Sequence, residues 1–156
     1  MAVFVGTFHN KVDRKGRVSV PAQFRQNLAG QSFHGIVALP SHRVPAIDVY
    51  GFDFIDRLND SMAASMDFYS ESQDDLATTI FGDSQMLPFD GEGRVILPPE
   101  LAEHAGITDR ASFVGKGQIF QIWQPEALKR HKEEARARVR SQGVTLPLRP
   151  PGGGGS

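Results

Sequence analysis

The sequence predicts an α+β protein built from two tandem copies of one module, which fold together as a single pseudo-two-fold β-barrel with helices at its periphery. Three observations point there. First, a segment recurs. Asp13-Arg-Lys-Gly-Arg-Val-Ser-Val-Pro21 is matched 77 positions later by Asp90-Gly-Glu-Gly-Arg-Val-Ile-Leu-Pro98. Asp, Gly, Arg, Val and Pro coincide, a likeness that marks an internal repeat. Second, the elements around each segment follow in the same order. Third, four short strands per copy would leave open edges and too little core, so each copy needs the other.

Residues 3–12 are rich in Val, Phe and Thr and read as a strand. Asp13-Arg-Lys-Gly16 reads as the turn that closes a hairpin. The Asp side chain bonds nearby backbone and Gly supplies a positive φ. Residues 17–20 return as a strand. Pro21 opens a short helix to about 28, and Gly30 ends it. Strands at 33–39 and 46–50 follow. Phe54, Ile55, Leu58, Met62 and Met66 then fall on one face of a helix over 52–66. A linking helix is expected at 70–80. The second copy continues with strands at 84–89 and 94–97, a helix at 98–105 ended by Gly106, and strands at 111–115 and 118–123 around a Lys116-Gly117 turn. Pro125 opens the last helix, to about 141. Tyr50 and Trp123 end equivalent strands and read as core anchors. The units are therefore 1–68, 69–141 and a Pro/Gly-rich tail, 142–156, whose composition predicts disorder.

The bulk composition narrows the function classes. The chain has 156 residues, 40% apolar and 22% charged, which suits a soluble protein with a core. No cysteine is present, so disulfides and thiolate chemistry are excluded, and a reducing cytoplasm is the expected setting. No apolar run is long enough to span a bilayer, and the N-terminus does not read as a signal peptide. No cofactor, metal or catalytic residue is expected. His9, His34, His42, His104 and His131 show no ligand spacing. Ser19 and Ser41 lack a base partner. Gly115-Lys-Gly117 lacks the spacing of a phosphate loop. His9, near the basic turn, reads as a strand-surface residue.

The two copies differ in charge. Residues 9–25 carry Lys11, Arg14, Lys15, Arg17 and Arg25 against Asp13 alone. Residues 83–103 carry five acids against Arg94 alone. With a net charge of −1, any nucleic-acid face must be local, and the first turn is the candidate.

The doubled Asp-x-x-Gly-Arg-Val-x-Val/Leu-Pro pattern resembles the SpoVT/AbrB-like swapped-hairpin DNA-binding domain. With Phe4-Val-Gly-Thr7 near the start and His104-Ala-Gly-Ile107 in the second copy, the chain resembles the MraZ family of bacterial transcriptional regulators over about residues 3–140. The resemblance implies a cytoplasmic, nucleoid-associated repressor of its own division and cell-wall gene cluster. It implies an operator of short G-rich direct repeats and ring-shaped homo-oligomers, octamers or dodecamers. It also implies a DNA-contacting loop at Asp13, Arg14, Lys15, Gly16 and Arg17. The second copy departs from the first at Glu92, the counterpart of Lys15.

The residues suit that reading. A two-stranded ribbon can enter the major groove, and the planar fork of arginine matches the O6/N7 edge of guanine. Lys11 and Lys15 are expected to hold phosphate. Asp13 would be repelled by phosphate, so it is assigned to the turn and to orienting Arg17 through a bidentate pair. Arg94 reads as the turn partner of Asp90. The basic last helix reads as a solvated surface, with a second DNA-facing rim as the sharper alternative. Two other functions remain open here: an antitoxin-like autorepressor, and an oligomeric scaffold without DNA contact.

Overall fold

The computed structural model describes residues 3–65 and 70–148. Met66, the unit boundary at 68 and the tail from 149 onward lie outside them. The first copy comprises β1 (Thr7–Lys11), β2 (Arg17–Ser19), α1 (Ala22–Asn27), β3 (Gly35–Pro40), β4 (Ile47–Tyr50) and α2 (Phe52–Ser65). Next come α3 (Glu71–Ala77) and a π-helical turn, Thr78–Gly82. The second copy comprises β5 (Gln85–Pro88), β6 (Arg94–Ile96), α4 (Pro99–Ala105), β7 (Arg110–Gly115), β8 (Phe120–Trp123) and α5 (Pro125–Gln142). One uniform linking helix was expected. Instead it widens after Ala77, where the Thr79 hydroxyl donates to the Asp75 carbonyl at 2.7 Å and competes with the helical ladder.

The copies exchange strands. A six-stranded antiparallel sheet runs β1-β7-β8-β4-β3-β5, and β2 pairs with β6 in a separate ribbon. Thus β1 of the first copy lies on β7 of the second, and β5 of the second lies on β3 of the first. Among the described residues only β3–β4 and β7–β8 form ladders within a copy. The hairpin expected from β1 and β2 is therefore not a ladder. The two strands share a single bridge, Val12 to Val18. The reason is competition: β7 offers β1 a five-residue register, from Thr7–Val114 to Lys11–Arg110, that aligns Phe8 with Phe113.

Two strand pairs place the pseudo-symmetry axis. Val18 faces its own counterpart Val95 at the centre of the ribbon. Asp48 faces its counterpart Gln121 at the centre of the β4–β8 ladder. Strand alternation then separates two faces. Ile47, Val49, Phe120 and Ile122 point inward and share one cluster with Val18 and Val95 of the ribbon. The rings of Phe4, Phe24 and Phe120 meet in that cluster, with Phe24 to Phe120 at 4.7 Å between centroids. Asp48, Gln121 and Trp123 point to the opposite face. There the Gln121 amide donates to Asp48 Oδ1 at 2.8 Å and accepts from Trp123 Nε1 at 2.9 Å, so these polar groups are satisfied. Trp123 packs with Leu128 under α5, and Tyr50, its counterpart, stacks on Phe54 of α2.

Phe24 is fully buried at the meeting point of both copies. Truncation to alanine is expected to cost about 3–5 kcal/mol, read as a shift of the urea midpoint at unchanged slope.

Candidate nucleic-acid interface

Asp13 organises the first tip. Its Oδ1 accepts the backbone N–H groups of Lys15 and Arg17, each at 2.9 Å, and its Oδ2 accepts Arg17 Nε at 2.6 Å. Gly16 sits at φ +83° and donates its N–H to the Asp13 carbonyl at 3.0 Å. That backbone conformation is strained for a residue with a Cβ. Asp90 repeats the arrangement, with Glu92 and Arg94 N–H on Oδ1 and Arg94 Nε on Oδ2 at 2.8 Å. The two turns also lock each other. Leu97 N–H donates to the Gly16 carbonyl at 2.8 Å and Val20 N–H to the Gly93 carbonyl at 3.2 Å.

The Asp13–Arg17 pair was expected to be bidentate. It is a single contact through Nε, because backbone donors occupy the other carboxylate oxygen. The consequence is useful: the terminal Nη groups of Arg17 have no partner among the described residues, while Nε fixes the plane of the guanidinium. Arg14 and Lys15 beside it are exposed.

The tips then diverge. In the second, Arg94 is shared between Asp90 and Glu92, whose Oε2 lies 3.6 Å from Nη2. Near the first, Lys11 at the end of β1 lies directly opposite Arg110 of β7, and both are exposed. Arg110 was not singled out from sequence, because nothing in its spacing announces the exchange of strands that brings it to Lys11. Like charges opposite one another are destabilising, and neither is ion-paired among the described residues. The equivalent pair in the other half is Gly35 and Pro88, without charge. Asn10 steadies β1 by donating from Nδ2 to the Ser19 carbonyl at 2.7 Å.

Arg25 leaves the basic group. Its Nε donates to the Val20 carbonyl at 3.0 Å, and its guanidinium lies on Gly93, where a Cβ would come within 2.3 Å of Nη1. Gly93 is therefore required by close approach as well as by its φ of +76°. Its counterpart Gly16 meets no such side chain within 3 Å. His9 is held at 2.6 Å from the Ser112 hydroxyl, and His131 stacks on Trp123. Among the described residues no group of three or more His, Cys, Asp or Glu could hold a metal, and no helix is long and apolar enough to cross a membrane.

Comparison with known proteins identifies the family. The family profile described as "MraZ protein, putative antitoxin-like" matches residues 80–145. "Transcriptional regulator MraZ" of Rickettsia bellii (strain OSU 85-389) is 47% identical over 147 residues, covering 94% of this chain and 97% of that protein. The chain belongs to the MraZ family. The protein of the same name from Rickettsia akari (strain Hartford) is 46% identical over 146 residues, with the same coverage. The MraZ profile covers the acidic second copy and α5, whereas these two MraZ relatives align through both copies.

The Arg17 backbone N–H, opposed by some desolvation and aided by the Arg17 side chain and the Lys15 N–H, holds Asp13 below the ordinary 3.8. The Arg94 and Glu92 groups do the same for Asp90. A carboxylate whose pKa is depressed on folding stabilises the fold above its unfolded pKa, and that contribution is lost as pH falls through the folded value. Both turns should therefore be intact at neutral pH and loosen only below pH 3.8. Carboxyl NMR titration should place both groups under that value, and a normal titration of either would contradict the turn geometry.

Proposed function

We propose that this chain is a sequence-specific DNA-binding repressor that reads the major groove with its first tip. The observation that carries this is Arg17, oriented through Nε with its outer edge unpartnered, flanked by Arg14 and Lys15. The relatives, transcriptional regulators by name, support a role in regulating transcription. We read the exchanged strands as two swapped-hairpin modules closing one barrel, with repeat units 1–68 and 69–141.

Each residue has a role in this reading. Asp13 and Gly16 set the turn. Arg17 and Arg14 present guanidinium edges to guanine O6 and N7, a pairing worth about 1–3 kcal/mol of discrimination. Lys11, Lys15 and Arg110 hold phosphate and make binding salt-dependent. The second tip is kept off DNA by Glu92, which stands where the first tip has Lys15, would face phosphate with like charge and engages Arg94.

One tip offers few contacts, and such a site binds little better than non-specifically, with Kd on the order of 10⁻⁴–10⁻⁶ M. We infer that a homo-oligomeric ring, octamer or dodecamer, places several tips on successive short G-rich direct repeats. Linking sites in this way gains ~10²–10⁴ in overall affinity. The target is the chain's own division and cell-wall promoter, and the setting is the cytoplasmic nucleoid.

Gel shifts on operators carrying one, two and three repeats should show steeply rising affinity, and equal affinity for all three would exclude the avidity mechanism. Arg17→Gln should lose about tenfold or more per repeat and relax the preference for guanine. Arg110→Ala should instead weaken binding to all sequences alike and lower the salt slope by about one.

A further inference from the structure

The outer face of the sheet carries a cavity over the pseudo-two-fold axis. Its volume is about 800 Å³, inside the range of roughly 300–1,000 Å³ typical of small-molecule sites. Asp48 and Gln121, which face each other in the β4–β8 ladder, form its floor. Its walls are the β3–β4 connection, the turn between β7 and β8, and one side of α5.

Two buried polar side chains line it. Gln121 is 5% exposed and commits both ends of its amide, one to Asp48 and the other to Trp123 Nε1. Ser41 is 7% exposed, and its Oγ accepts the N–H groups of Arg43 and Val44 at 3.3 and 3.4 Å. A hydroxyl also has one proton to give, and that of Ser41 has no acceptor among the described residues. A buried donor of this kind calls for an acceptor.

The walls bring cations from three separate elements: Arg43 from the β3–β4 connection, Lys116 from the turn and Arg138 from α5. Arg43 and Lys116 form no ion pair among the described residues, and Arg138 meets Glu134 only at 4.0 Å. Burial, then the charges of Lys116 and Arg138, hold His131 in the same wall below the ordinary 6.5, against the opposing pull of Glu134. The repeat shows that the fold does not require this wall. The connection between β7 and β8, residues 116–119, is shorter than its counterpart at 41–46. The longer one is what brings His42 and Arg43 to the cavity.

We propose that this cavity binds a small phosphorylated molecule bearing hydroxyl groups. Ser41, Arg43, Lys116 and Arg138 hold its phosphate oxygens, as charge-assisted donors do. Asp48 and Glu134, which only accept, take its hydroxyls. The site is separate from the DNA-reading tip, because Asp48 and Gln121 point away from the core that contains Val18 and Val95 of the ribbon.

Isothermal titration calorimetry on the full chain tests this with inorganic pyrophosphate, adenosine diphosphate and sulfate. Pyrophosphate should saturate one site per chain. Adenosine diphosphate should bind about tenfold tighter through its ribose hydroxyls, and sulfate about tenfold more weakly. Arg43→Ala and Lys116→Ala should each weaken pyrophosphate by about tenfold or more. Both positions are exposed, so these variants should keep the wild-type urea midpoint. Arg17→Gln should bind pyrophosphate as wild type does, and duplex DNA with G-rich repeats should not displace it. No saturable binding, equal affinity for sulfate, or unchanged affinity in the Arg43 and Lys116 variants would each overturn the proposal. So would adenosine diphosphate binding no tighter than pyrophosphate, loss of binding in Arg17→Gln, or displacement by the duplex. Failure of the DNA reading would show in gel shifts and leave these titrations unchanged.

Discussion

Each half of this chain leaves strand edges that only the other half can pair. β1 needs β7, β5 needs β3, β2 needs β6, and the β4–β8 ladder joins the halves through the axis. Backbone donors and acceptors buried without partners are costly, so this exchange is the constraint from which the other features follow. It makes one core from two repeats, with Phe4, Phe24 and Phe120 meeting where neither copy alone would bury them. It also holds the two turns against each other by reciprocal backbone bonds, which makes the tips rigid without extra loops.

A shared scaffold then carries two electrostatic outcomes. Local geometry is the same at Asp13 and Asp90: one carboxylate accepts two backbone N–H groups and one arginine Nε. The turn is thus independent of the residue between. At that variable position Lys15 adds a cation beside Arg17, while Glu92 places an anion 3.6 Å from Arg94 Nη2. Arg25 deepens the asymmetry by lying over Gly93, where its counterpart Ala102 has no equivalent reach. A repeat can in this way keep one copy for the fold and free the other for a ligand.

The outer face follows similar logic. α2 and α5 occupy equivalent places after β4 and β8, yet α2 is acidic at its exposed positions and α5 is basic.

The repeat, the order of elements, the two turns and the basic-against-acidic contrast were all legible in the residues themselves. Each rests on local chemistry: Asp and Gly in a turn, alternating apolar strands, proline and glycine at helix ends. Partner choice was not legible. That β1 abandons β2 for β7, that Arg110 therefore stands beside Lys11, and that Arg17 bonds through Nε alone depend on residues remote in sequence. The same holds for the π-turn after Ala77, where a side-chain hydroxyl outbids the helical ladder. Sequence alone determined which segments are strands, turns and helices, because those preferences are settled within a few residues. Only the tertiary structure decided which strand pairs with which and which cations share a surface, because backbone pairing and charge proximity are set by distances that no local pattern encodes.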